Sequence, residues 1–95
     1  MIGESKFSKW MYDHTNLSDK SIINYNQAVR KISNDLVKMN LLYSTLEDIS
    51  ENADLEQLKK EYFDIEEFKL LDVRGKGMYS AGFNKLIEYQ SFLDT

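Results

Sequence analysis

Apolar residues recur at helical spacing along almost the whole of this chain. Phe7, Trp10, Met11 and His14 stand at i, i+3, i+4 and i+7, one face of a first helix. Asn16-Leu17-Ser18 interrupts that pattern. Ser18 is a good N-cap for a second helix, and Asp19 in the first turn suits the helix dipole. Ile22, Tyr25, Val29, Ile32, Leu36 and Met39 then step by three and four residues, which predicts a helix of about 20 residues with a single apolar stripe.

Beyond Asn40, Leu41-Leu42-Tyr43 leads into Ser44-Thr45-Leu46-Glu47, the spacing of a capping box in which Ser44 and Glu47 satisfy each other's backbone N–H groups. A short helical turn with Leu46 and Ile49 inward is expected there. Asp54-Leu55-Glu56-Gln57 repeats the logic with Asp54 as the cap. It opens a helix whose apolar face uses Leu55, Leu58, Tyr62, Phe63 and Phe68. Leu70, Leu71 and Val73 read as the irregular end of that helix. Arg74-Gly75-Lys76-Gly77 is a loop. Tyr79, Phe83, Leu86, Ile87, Tyr89, Phe92 and Leu93 give a last helix with a wide apolar face. The expected fold is all-α, a compact bundle or orthogonal array of four to five helices. Residues 1–95 form a single domain with no internal repeat, linker or low-complexity segment.

Composition narrows the chemistry. The 95 residues include no cysteine, no proline, four glycines and one histidine, which excludes disulfides, thiolate metal sites, cysteine nucleophiles and paired-imidazole mechanisms. The hydrophobic content of 42% fits a folded domain rather than a disordered one. No run of 18 apolar residues is present, so no membrane span is expected. Met1-Ile2-Gly3-Glu4-Ser5-Lys6 lacks the basic and apolar regions of a secretory signal, and a cytoplasmic protein is expected. Met1 and the abrupt Leu93-Asp94-Thr95 end read as an N-terminal piece of a larger protein.

Net charge is −4, unevenly distributed: residues 1–46 carry +2, residues 47–67 carry −7 and residues 68–95 carry +1. A uniformly acidic domain is repelled by nucleic acid, whereas a segregated one can still present a basic face. The alternative is an ordinary solvated surface.

No residue set reads as catalytic, and neither a metal nor a cofactor is expected. His14 has no nucleophile or orienting partner nearby in sequence, and a helix C-terminus is reason enough for its presence. Glu47/Asp48 and Glu66/Glu67 are adjacent pairs, roughly 100° apart on a helix, so neither converges on one ion. Asp48, Glu51, Asp54 and Glu56 do not match a calcium loop. Trp10, Tyr25, Tyr43, Tyr62, Tyr79 and Tyr89 read as core aromatics, and Tyr12, off the apolar stripe, reads as exposed. The most suggestive local feature is Arg74-Gly75-Lys76-Gly77, two bases beside the free N–H groups of a helix start, an arrangement that attracts anions. With Lys20, Arg30 and Lys31 of the second helix, Arg74 and Lys76 make a candidate set of DNA-phosphate contacts.

Three stretches carry a family resemblance. Phe7-Ser8-Lys9-Trp10-Met11 followed by Leu17-Ser18-Asp19-Lys20-Ser21-Ile22-Ile23-Asn24-Tyr25 resembles the opening of the SAM-like core-binding domain of tyrosine recombinases. Gly77-Met78-Tyr79-Ser80-Ala81-Gly82-Phe83, continuing to Phe92-Leu93, resembles a helix of the N-terminal module of bacterial restriction proteins, McrBC-type and HNH endonucleases among them. Leu42-Tyr43-Ser44-Thr45-Leu46-Glu47-Asp48-Ile49 extends the match over most of the chain. The resemblance implies a non-catalytic helical module that helps to bind or position DNA for a nuclease or motor domain elsewhere. It transfers no catalytic role to Tyr79 or Tyr89. Gly82 stands where the family has alanine, at a cost of up to roughly 1 kcal/mol of helix propensity unless a close backbone contact compensates. The competing expectation is a protein-interaction module that docks through the acidic segment 47–67 to a partner subunit or to the parent chain.

Overall fold

The computed structural model describes residues 5–93, and these residues form helices and no strand. The order is α1 (Lys6–His14), α2 (Asp19–Lys38), a single 3₁₀ turn (Leu46–Asp48), α3 (Asn52–Phe63), α4 (Glu66–Arg74) and α5 (Met78–Leu93). Met1–Glu4, read for a secretory signal, lie outside the described residues, as do Asp94 and Thr95, read as an abrupt end. Among the described residues no helix is long and apolar enough to cross a membrane.

Side-chain caps define the first two helices. Ser5 Oγ accepts from the Ser8 N–H at 3.0 Å, and Ser18 Oγ accepts from the Ser21 N–H at 3.2 Å. The second helix spans 20 residues, the length its stripe predicts. It stops at Asn40, whose φ of +62° lets the Leu41 N–H reach back to the Leu36 carbonyl at 3.0 Å. Asparagine tolerates this left-handed geometry better than most side chains.

α2 and α5 form the central pair. Ile22, Val29, Ile32 and Leu36 of α2 meet Phe83 and Leu86 of α5, and all six are buried. Phe7 and Met11 of α1, Leu55, Leu58 and Tyr62 of α3, and Leu42 and Leu46 complete the interior. At Gly82, α5 packs close against α2. A β-carbon there would stand 3.3 Å from both the Ala28 β-carbon and the Tyr25 carbonyl oxygen. The expected close contact is therefore present.

Polar bonds pin the irregular segment to this pair. The buried Ser33 Oγ accepts from the Leu46 N–H at 3.1 Å, and Gln90 Nε2 donates to the Glu47 carbonyl at 3.1 Å. The predicted Ser44–Glu47 capping box does not form. Thr45 is the cap, Ser44 Oγ donates to Asp48 Oδ2 at 2.7 Å, and the Glu47 side chain turns toward the start of α1, where Phe7 and Ser5 hydrogen-bond it.

Three other expectations fail. α3 starts at Asn52 with Glu51 in the cap position, so Asp54 lies in the first turn instead of capping it. Leu70, Leu71 and Val73 belong to a separate helix, because Ile65 takes an extended backbone and ends α3, while Glu66 and Glu67 suit the start of a new dipole. Phe68 then folds back to stack on Tyr62 at 4.2 Å. Tyr43, expected inside, is fully exposed, whereas Tyr12 is exposed as its position predicts.

Asp35 ties α2 to α3: its Oδ2 accepts from Tyr62 Oη at 2.7 Å and from Lys31 Nζ at 2.6 Å. Burial, that hydrogen bond and the Asp35 charge all push the Tyr62 hydroxyl far above the ordinary 10.0. An unfolded tyrosine ionises near pH 10, so the stabilisation is complete below that value and is lost as pH rises beyond it. Tyr62→Phe is expected to cost about 1–2 kcal/mol at neutral pH. It should also flatten part of the decline in stability above about pH 10, as followed by urea unfolding at stepped pH. Tyr89, raised by burial and by the Glu47 charge, adds to that decline in the same direction.

Candidate nucleic-acid interface

The core stripe of α2 has a counterpart on its outer side. Lys20, Ile23, Gln27, Arg30, Asn34 and Lys38 are exposed, again at steps of three and four residues, with exposed Val37 beside the last. A helix of this length is about 30 Å long, so the stripe presents three cations and two amides along a rod the size of the domain. Its only exposed carboxylate is Asp19 at the first position, since Asp35 is held by Tyr62 and Lys31. Lys20 and Arg30 are ten residues apart, about 15 Å along the axis and within a quarter turn of one another. Neither takes part in an ion pair among the described residues, where the two pairs are Lys31–Asp35 and Lys85–Glu88.

Arg30 also borders a polar cleft of about 250 Å³ between α1, α2 and the 3₁₀ turn, with Asn26, Asn34, Ser44, Thr45 and Glu47 around it. Burial raises the Glu47 carboxyl above its ordinary value, opposed by hydrogen bonds from Phe7 and Ser5 and by the charge of Arg30. The cleft therefore offers donors and acceptors side by side, with the Arg30 cation at its edge.

The other sequence candidates are placed differently. Lys31 is half-exposed but already engaged. It pairs with Asp35 at 2.6 Å and lies 5.4 Å from the centre of the Phe68 ring, so its charge is already matched within the fold. Arg74 closes α4, and Lys76 sits in the following turn with φ of +56°; both are exposed. The backbone anion site expected beside them is filled by the chain itself. Asp72 Oδ1 accepts from the Ser80 N–H at 2.9 Å, and the Gly77 N–H donates to the Asp72 carbonyl at 2.8 Å. A carboxylate at that helix start repels a phosphate rather than welcoming it.

The structure thus brings Lys20 and Arg30 to one face, withdraws Lys31, and leaves Arg74 and Lys76 on a separate element. Gln27, Asn34 and Lys38 are missed by sequence reasoning that follows charges singly. The signal that finds them is the polar complement of the apolar stripe, read at the same spacing. Compared with known proteins, the chain matches no family model, no curated protein and no solved structure.

Proposed function

We propose that this is a non-catalytic helical module of a bacterial DNA restriction or recombination protein, one that helps to bind or position DNA in the cytoplasm. Lys20, Arg30 and Lys38 of α2 make the phosphate contacts, and Gln27 and Asn34 lie between them. The observation that carries the reading is the outer stripe of α2, with three exposed cations, two amides and no carboxylate beyond Asp19. Such a face suits a polyanion, because Lys and Arg neutralise phosphates and amides can reach base edges. The resemblance to restriction and recombinase modules supports the same reading. Its motif residues Ile22, Tyr25, Tyr79 and Gly82 are packing residues, so recognition falls to the exposed ones.

Three phosphate contacts give a salt slope of about −2.7, so duplex affinity should fall roughly 40-fold between 50 and 200 mM salt. A triple substitution Lys20→Ala, Arg30→Ala and Lys38→Ala is expected to weaken binding at least about tenfold and to bring the slope close to zero. A gel shift at stepped salt measures both. Absence of binding by the parent chain at about 50 mM salt contradicts the proposal.

A second reading is favoured by the exposure of Asp48, Glu51, Asp54, Glu56, Asp64, Glu66 and Glu67, which fits docking of the acidic segment on a basic partner subunit or on the parent chain. Charge reversal at Glu56, Glu61 and Glu66 should then abolish complex formation without unfolding the domain.

A further inference from the structure

α4 is the one helix among the described residues with no buried residue. Its inward side is held by Phe68 against Tyr62 and by Asp72 on the Ser80 N–H. Its outward side carries Leu70, 45% exposed, and Val73, 70% exposed. Glu66, one turn before Leu70, and Arg74, one turn after it, lie on the same side, because residues four apart share a helix face. Both are exposed, and neither belongs to an ion pair among the described residues.

We propose that this outward face of α4 is a homodimer contact, in which two copies pack their α4 helices antiparallel about a two-fold axis through Leu70. The positions dictate the orientation. Glu66 and Arg74 are equally far from Leu70 on opposite sides, so an antiparallel pair brings Glu66 of each copy to Arg74 of the other. A parallel pair sets glutamate against glutamate and arginine against arginine. Leu70 and Val73 supply the apolar contact, and the charges set orientation and choice of partner more than affinity. An isologous contact of this kind closes on itself and stops at two copies. A pair of nine-residue helices covers less than the roughly 1,200 Å² of a standard interface, so the dimer is weak. It commits Arg74 to the second copy rather than to phosphate, and it stands independently of the DNA reading, which rests on α2.

The test is sedimentation of the full chain from about 10 µM to about 1 mM, a range that brackets weak association. The mass of the parent chain should rise with concentration toward twice the monomer. Arg74→Glu and Glu66→Arg should each remain monomeric when alone, because each sets like charges face to face. Their equimolar mixture should associate again, since one copy then carries only acids at these positions and the other only bases. Leu70→Glu should be monomeric and not rescued. Unchanged helical circular dichroism in each variant shows that the fold is intact. A parent chain that stays monomeric at about 1 mM, a mixture that does not associate, or a Leu70→Glu variant that pairs like the parent overturns the proposal.

Discussion

Replacing Phe83 with alanine is expected to remove about 3–5 kcal/mol of stability and to lower the melting temperature by at least about 12 °C. Phe83 is fully buried at the centre of the α2–α5 contact, with Phe63 alongside at a ring separation of 6.5 Å. Removing a buried phenyl ring loses its transfer energy and leaves a cavity, together about 3–5 kcal/mol. Total stability at this length is about 5–14 kcal/mol, so the loss is a large share of it. In a domain of this size each kcal/mol moves the melting temperature by about 4–8 °C, and a drop of at least about 12 °C should appear by thermal circular dichroism. Val73→Ala, at an exposed position, should change it by no more than a few degrees. A Phe83→Ala variant that melts with the parent would mean that α5 does not bury this face.

The second large effect is expected at Gly82. Leucine there must push α5 away from the Tyr25 backbone, which cannot retreat without moving α2, at a cost of about 2–3 kcal/mol. Alanine is the informative contrast. Its methyl gains up to about 1 kcal/mol of helix propensity and meets neighbours only a few tenths of an ångström too close, so the two effects nearly cancel. Combining Gly82→Ala with Ala28→Gly removes the contact with the Ala28 β-carbon but not the one with the Tyr25 backbone, and the second glycine costs about 1 kcal/mol of helix propensity, so the pair should be no more stable than Gly82→Ala alone. Urea midpoints of the parent and these variants measure the series. Equal stability of the leucine variant and the parent would show that the helices are not in contact at this point.

These two sites show how much of the packing is legible from residue order. α2 reads directly because its inward residues repeat at steps of three and four over five turns. The contact at Gly82 is foreseeable because an interior helical glycine needs a reason. α4 does not read as a helix, since Phe68 and Leu71 are only half-buried and the apolar Leu70 and Val73 point outward. Its clearest local mark is the Glu66-Glu67 pair, which suits a helix start but equally invites a test as a metal site. The anion site at Arg74-Gly75-Lys76-Gly77 fails for a reason invisible in the loop itself. Asp72, eight residues before Ser80, reaches that helix start only once α4 has turned back against α5. Lys31 is withdrawn in the same way, by an aspartate one turn away that also holds Tyr62. Residue type locates the cations correctly, but tertiary partners decide which of them remain available.

Backbone amide shifts of the labelled chain, followed during titration with a short duplex at about 50 mM salt, test the α2 interface most directly. The expected result is a line of perturbed residues at 20, 23, 27, 30, 34 and 38, fading as salt is raised. Shifts confined to the acidic stretch 47–67, or none at all at a duplex excess, would contradict it.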